Sequence, residues 1–554
     1  MGAAADLFAE LLKRRGYDDL DARELFLHPN YEMYKHDPWL LPDMAAAVTR
    51  LQKAKAEGER VVIYGDYDID GLTATTLLRD ALTSFGIRVE TFIPNRFIEG
   101  YGLSSEAMKK LSAEGYQLVV TVDCGSLSHK EIALANELGM EVIVTDHHNV
   151  ADTMPAAVAT INPKRPDHKY PFIDLAGVGV AFKLVQAMQQ KMDGLPLGQE
   201  KWLLDLVAMG TVCDVVSLVD ENRANVFWGL KVLSKTKRVG LRALAEAAGV
   251  EIERVTARHL GFVLGPHLNA SGRLQTAQIS LDLFTATERA KSESVAAVLR
   301  QMNIDRRAEQ DRIFAAALEQ AAQFENDPVL VLSAPDWSHG IIGIVAAKIL
   351  EHYGKPTFVL QEMEDGLAKG SARSFGDFSA ADGIQFAADT IEKGGGHKLA
   401  AGVTLKIENI PAFRAALNEF YRSLKLEDQE AHLKPAPDLQ LDSFAGIDME
   451  LLKLLDQLEP CGNGNPEPIV RVAPVILKEA RPVGADGKHL KITAVDQHGQ
   501  QLKGIGFGFG HAADKAGKQV TLTMKIIGNE WMGRRSVEGQ VLAIDSCRSP
   551  SVKL

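Results

Sequence analysis

From residue 60 to about 215 the chain alternates short apolar runs with amphipathic stretches. The runs are VVIYGD (61–66), VETFIP (89–94), QLVVTVDCG (117–125) and EVIVTDHH (141–148). Between them lie LTATTLLRDALTSFG, SSEAMKKLSAEG and HKEIALANELG, with apolar residues at helical spacing. This rhythm predicts a parallel sheet with helices on both faces. Residues 1–50 read as a helical entry segment and 199–260 as mostly helical. From 281 to 325 the chain is rich in Ala, Glu, Arg and Gln and nearly free of Gly and Pro, which predicts a long connecting helix. A second α/β pattern follows, with PVLVLS (328–333), IIGIVAAKILEHYG (341–354), PTFVLQ (356–361) and the glycine cluster GGGHKLAAG (394–402). Beyond a polar, proline-bearing segment in the 430s, short alternating runs between turn residues predict a small β-barrel. The expected class is α/β: two α/β domains (51–280 and 326–425) joined by a helix (281–325), with a barrel over 430–554.

Composition narrows the class. A chain of 554 residues, 46% hydrophobic and 24% charged, is ordinary for a soluble globular protein of several domains. The N-terminal stretch has no signal-peptide core and no apolar run is long enough for a bilayer, so a cytoplasmic protein without membrane contact is expected. The four cysteines lack CxxC spacing, which indicates neither a disulfide framework nor a zinc site. A net charge of −12 argues against a broad cationic surface; a polyanionic substrate would need a local basic groove or metal ions.

The runs of the first domain end in ionisable groups: Asp66, Asp68 and Asp70, then Asp123, then Asp146, His147 and His148. In a doubly wound sheet the carboxyl ends of the strands open onto one crevice, so these groups converge. Asp214, in MGTVCDVVSL, adds another carboxylate. Divalent cations make such crowding tolerable, and Asp with His suits Mn²⁺ or Mg²⁺. If strand alternation continues, Asp68 and Asp70 face one side and share or flank an ion. Two such ions clamp the attacking and leaving oxygens of a phosphoryl displacement. A lone strand-end aspartate is more often a helix cap or turn former; the recurrence beside a DHH triplet favours ligands. The GGGH cluster is either a plain turn or a place where amides approach an anion. Arg96, Arg373 and Ser371 are candidates for phosphate or ordinary surface groups.

Together these motifs resemble the DHH phosphoesterase superfamily, through GDYDIDG, VDCG and DHH. The longer pattern is closer to its RecJ branch, 5′-to-3′ exonucleases specific for single-stranded DNA. NRFIEGYGLS (95–104), MGTVCDVVSL (209–218), GPHLNASGR (265–273), WSHGIIGIVAAK (337–348), SARSFGDFS (371–379), GGGHKLAAG and EPCGNGNPEP (459–468) carry that resemblance. It implies a DHH-type catalytic domain and a GGGH-type domain closing over the crevice. It also implies two Mn²⁺ or Mg²⁺ ions held at Asp68, Asp70, Asp123, His147 and Asp214. His148 would sit against the scissile phosphate, with Asp66 and Asp146 in support and water as the nucleophile. On the substrate side it implies Arg96, Ser371 and Arg373 at a terminal 5′-phosphate, His397 near the strand, and Asn269 and Arg273 in contact with it. His267 stands where the family commonly has Arg, and Gln275 where Asp is frequent.

The terminal barrel resembles an OB-fold, which holds single strands through basic groups and stacking aromatics. Arg471, Lys478, Arg481, Lys488 and Lys491 outnumber Glu479 and Asp486 there, and Phe507, Phe509 and Trp531 are stacking or core residues. The resulting expectation is a metal-dependent exonuclease that degrades single-stranded DNA from its 5′ end to mononucleotides, in repair and recombination. It is expected to be monomeric, with single-strand binding protein and a helicase as candidate partners. Two rivals remain: a phosphodiesterase for short oligonucleotides or cyclic dinucleotides, and a non-catalytic replication scaffold.

Overall fold

The computed structural model describes residues 2–100, 102–426, 429–531 and 533–546. The chain forms two compact units. The first contains Phe8–Asn303 and Lys453–Glu467; the second contains Ile304–Leu452 and the chain from Pro468 onward, with the N-terminal residues up to Leu7.

In the first unit, β1 (Val61–Gly65), β2 (Val89–Phe92), β3 (Leu118–Val122), β4 (Glu141–Thr145) and β5 (Ala159–Ile161) form a sheet of order β2-β1-β3-β4-β5. Every pairing is parallel. The apolar runs are unbroken because both faces are covered. Val61 and Ile63 enter one core with Leu77, Phe182 and Leu206, while Val62 and Tyr64 enter the other with Met108, Leu111 and Ile132. β5 was not anticipated: its three residues are too few to form a periodic signal. Since β1, β3 and β4 are neighbours, their carboxyl ends share one edge.

The expected connector is two helices. Gln278–Thr285 is pinned to the first core by Leu281, Leu283 and Phe284; the backbone then extends at Ala286 before the 33-residue helix Arg289–Ala321 begins. The partition between the units falls inside this long helix, after Asn303.

The second unit carries β6 (Leu330–Ala334), β7 (Thr357–Glu362), β8 (Leu367–Arg373), β9 (Lys393–Gly396) and β10 (Ala400–Lys406), in the order β6-β7-β8-β10-β9. The β6–β7 pair is parallel and encloses helix His339–Tyr353; the remaining pairs are antiparallel. Most of the glycine cluster is therefore strand: Gly394–Gly396 form the exposed edge β9, and the turn follows at His397. The same unit holds β11 (Leu439–Leu441), β12 (Ile469–Val483), β13 (His489–Asp496), β14 (Gln501–Gly506), β15 (Gln519–Trp531) and β16 (Arg534–Ser546). β12, β13, β14, β16 and β15 close into a five-stranded barrel through the β12–β15 pairing, as an OB-fold does. Among the described residues no helix is long and apolar enough to cross a membrane.

Candidate metal centre

The GDYDIDG segment does not continue as a strand. β1 stops at Gly65, and Asp68 caps the helix Ile69–Ser84, its side chain accepting from the Gly71 amide at 3.1 Å. The expected placement of Asp68 and Asp70 by strand alternation is thus corrected: Asp70 lies in the first helical turn. There its carboxylate accepts from the amides of Gly177 (2.6 Å) and Val178 (2.9 Å), at the N-terminus of helix Gly177–Gln189. That helix end offers unpaired donors and positive potential, which favour a buried anion.

Asp123 follows β3 with φ 61°, a left-handed conformation uncommon outside glycine. The backbone of Gly177 passes so close that a Cβ there would lie 2.7 Å from the Asp123 side chain. Asp146, at the end of β4, accepts from the amides of Ser126 (3.0 Å), His147 (2.7 Å) and His148 (3.1 Å), and lies 2.8 Å from His148 Nδ1. Asp214 ends the helix Leu204–Cys213. Gly210, one turn earlier, leaves room for Asp70: a Cβ there would approach its Oδ1 to 2.8 Å.

These elements bring every acidic and imidazole residue singled out in the first domain's sequence into one crevice. His147 Nε2 lies 3.1 Å from Asp123 Oδ1, 3.6 Å from Asp214 Oδ2 and 3.8 Å from Asp70 Oδ2. Possible ligand atoms fall within 4.8 Å of one another in three sets: Asp66, Asp68 and Asp123; Asp70, His147 and Asp214; and Asp123, His147 and His148.

The electrostatics separate two classes of group. Burial, then the charge of Asp68, raises Asp70 to about 7. Burial, then Asp70 and Asp68, raises Asp214 to about 9. Asp66 and Asp123 are raised well above the usual range, by burial first and by neighbouring carboxylates second. Burial also works against ionisation of Asp146, yet its hydrogen bond to His148 and the imidazole charges hold it below the ordinary range. His147 is lowered to about 3, by burial and then by His148, so its imidazole is neutral and able to ligate. Burial opposes protonation of His148, but the Asp146 bond outweighs it and raises the ring.

A divalent cation suits this donor set. Among the described residues the buried Asp66 Oδ1 and His147 Nε2 have no hydrogen-bond partner. Among the described residues no Lys or Arg ion-pairs with Asp66, Asp68, Asp70 or Asp214. Carboxylates and a neutral imidazole are hard to borderline donors, appropriate to Mn²⁺ or Mg²⁺.

Arg96 lies over the Tyr67 ring, 4.2 Å from its centroid, beside the acidic loop. Asn269 and Arg273 are on helix Gly265–Leu274, which runs against the same loop: a Cβ on Gly272 would stand 3.2 Å from the Tyr67 carbonyl oxygen. Ser371 and Arg373 sit together on one face of β8; a Cβ on Gly343 would be 3.2 Å from both. His397 is exposed in the β9–β10 turn. On the barrel, Phe507 is exposed, Phe509 stacks on His511, and the side chain of Trp531 lies outside the described residues. Sequence reasoning missed Gly177, Gly210, Ser126 and Asn162. Asn162 Nδ2 donates to Ser126 Oγ and to the His148 carbonyl, both at 2.9 Å. The small-residue run AGVG at 176–179 was the available signal for Gly177.

Two outcomes follow from this geometry. Asp70 and Asp214 titrate at about 7 and about 9, above the roughly 3.9 of an unfolded aspartate. The metal-free folded chain therefore keeps protons that the unfolded chain has released, and its stability falls as pH rises from about 4 through those values. Cations bind the ionised forms, so at a fixed Mg²⁺ concentration the rise in Tm grows from about pH 6 to pH 8.5 as Kd falls, the stabilisation being about 2.7 kcal/mol once the ion is at a hundredfold excess over Kd; thermal melts with and without chelator measure it. Gly177→Ala displaces Asp123 and weakens divalent-ion binding about 10- to 100-fold, read by titration calorimetry.

Comparison with known proteins agrees. The DHH family N-terminal domain matches residues 60–211, the DHHA1 domain 326–423 and the RecJ OB domain 438–543. The Escherichia coli protein named single-stranded-DNA-specific exonuclease RecJ is 35% identical over 527 residues, covering 90% of each chain. Its namesake from Bacillus subtilis is 35% identical over 536 residues, 96% of this chain and 66% of its own length. A crystal structure of Thermus thermophilus RecJ in complex with Mn²⁺ superposes with a TM-score of 0.82 at 30% identity, covering 98% of this chain and 76% of that one. The chain belongs to the RecJ family.

Proposed function

We propose that this chain degrades single-stranded DNA from its 5′ end, releasing mononucleotides, with Mn²⁺ or Mg²⁺ as cofactor. The observation that carries the reading is the meeting of Asp66, Asp68, Asp70, Asp123, Asp214 and neutral His147 in overlapping sets whose possible ligand atoms lie within 4.8 Å of one another. Asp68, Asp70, Asp123, His147 and Asp214 would hold two divalent ions. When bound, such ions activate water for attack and neutralise charge growing on the phosphoryl group.

The protein's own groups supply the rest. Asp146 fixes His148 through Nδ1 and favours its protonated form, which suits a donor to the scissile phosphate. Water attacks phosphorus and gives up a proton, the bond to the leaving oxygen breaks, and that oxygen takes up one proton, so that the elements of water are divided between the two products. Arg96, Ser371 and Arg373 are assigned to the terminal 5′-phosphate, and Asn269, Arg273 and His397 to the strand. Burial leaves Arg373 a poorly solvated guanidinium, well matched to a bidentate phosphate contact.

The barrel offers a basic strip. Arg481 is directly opposite Lys491 across β12–β13, and Lys503 faces Thr493 on the next pair, with Glu479 on the far side of Thr493 as the one acid of these two rows. Like charges paired this way are destabilising unless an anion lies over them. His489 and Phe507 meet edge-on beside the strip, 5.4 Å between ring centres, so Phe507 presents a face for a base. A strand-length binding surface favours a polymeric substrate over a dinucleotide. The chain is assigned as a monomer acting in the cytoplasm, in DNA repair and recombination, on strands delivered by a helicase and a single-strand binding protein.

Digestion of 5′- and 3′-labelled single-stranded and duplex DNA tests the reading. Label is expected to leave the 5′ end of single strands first, and release from the 3′ end would overturn the polarity. Asp123→Ala and His147→Ala each reduce turnover by at least about 1,000-fold, in line with loss of an essential metal-site group, while gel-shift affinity for DNA stays within a few-fold. Arg373→Ala lowers the preference for 5′-phosphorylated over 5′-hydroxyl ends by about tenfold, the scale of one charged hydrogen bond.

A further inference from the structure

The motif EPCGNGNPEP contributes residues to the first unit, where Lys453–Glu467 packs. Its near end is held by Arg223 of helix Asp220–Leu233, a buried guanidinium resting on the Phe26 ring. Arg223 donates to the carbonyls of Leu458 (3.0 Å), Pro460 (3.1 Å) and Glu459 (3.2 Å). Asn465 Nδ2 donates to the carbonyls of Leu458 (2.8 Å) and Pro460 (2.9 Å), which makes the strap rigid in itself. At its tip Gly462 and Asn465 exchange backbone hydrogen bonds of 2.9 and 3.2 Å.

The tip grips the loop that follows Asp214. The Leu218 amide donates to the Asn463 carbonyl at 2.7 Å, and Asn463 Nδ2 donates to the Val215 carbonyl at 2.9 Å. The fit is close: a Cβ on Gly462 would lie 2.7 Å from Leu218 Cδ1, and one on Gly464 3.2 Å from Ser217 Cβ. The gripped residue is unusual. Val215 is exposed and has φ 63°, a backbone conformation that β-branched residues almost never adopt unaided. It directly follows Asp214, so its φ sets the path by which the chain leaves the helix and hence how the backbone at Asp214 is anchored to the gripped loop.

We propose that Asn463 is a positioning residue for Asp214. By binding the Val215 carbonyl it holds the left-handed turn, and the turn keeps the Asp214 carboxylate toward His147 Nε2, 3.6 Å away. The inference rests on the reading of Asp214 as a metal ligand. A side-chain amide from a remote segment thereby sets the affinity of the centre without touching an ion.

The test uses the full chain and Mn²⁺ alone, with free ion counted by electron paramagnetic resonance and melting followed by circular dichroism. Asn463→Ala keeps the Leu218-to-strap backbone bond. It is expected to weaken Mn²⁺ binding about 3- to 10-fold, the scale of one lost hydrogen bond. Val215→Gly in that background restores binding to within about twofold, because glycine holds positive φ without help. Unchanged Mn²⁺ binding in Asn463→Ala overturns the proposal, as does a loss that Val215→Gly leaves in place or a fall in melting temperature alone. Asp214→Ala is the reference. If it binds Mn²⁺ like the native chain, the ligand reading has failed; if it loses binding while Asn463→Ala does not, only the positioning role has failed.

Discussion

Mutual repulsion among aspartates at the open edge of the first sheet is the constraint on which the rest of the molecule depends. Two carboxylates about 4 Å apart repel by about 4 kcal/mol at the effective dielectric of a protein site. A flexible scaffold would let them drift apart. The parallel sheet does not, because its strands are covered on both faces and their ends are fixed by packing. The groups are further pinned by backbone: two amides from the 177–189 helix hold Asp70, and a left-handed Asp123 fits against Gly177 with no space to spare.

Within that cluster the acids divide by how their lone pairs are satisfied. Asp146 is saturated by three amides and an imidazole and stays charged without a metal; its work is to orient the DHH segment. Asp66, Asp70, Asp123 and Asp214 are raised because burial and neighbours oppose their charge. The distinction is invisible in composition, since all are aspartates near strand or helix ends. It also gives a net charge of −12 a local meaning: much negative charge is placed where cations belong, while the barrel carries a basic strip of its own.

The strands β1, β3 and β4 and the convergence of their termini were legible in the sequence, because unbroken apolar runs ending in Asp and His leave few arrangements for a parallel sheet. The geometry of Asp68 and Asp70 was not. Local capping won over strand alternation, since an aspartate just past the end of β1 gains more from an amide at a helix start than from an extended backbone without a neighbour. The glycine cluster was similarly ambiguous: glycines weaken a strand, yet Gly394–Gly396 pair with β10 along an exposed edge. Gly210 was unreadable for another reason: its importance lies in the volume of Asp70, a neighbour distant in sequence, which no local pattern encodes, whereas Gly177 left only the small-residue run AGVG as a sign.

The strap has a bearing on the order in which the protein is made. Asn463 lies 248 residues downstream of Val215, so the ribosome must travel for about ten to fifty seconds after the helix before that loop receives its clasp. During that interval the nascent polypeptide has every carboxylate and imidazole of the cluster but lacks the Asn463 bond to the loop after Asp214. The loop after Asp214 therefore takes its final form late in synthesis, close to the time when the strands of the barrel emerge.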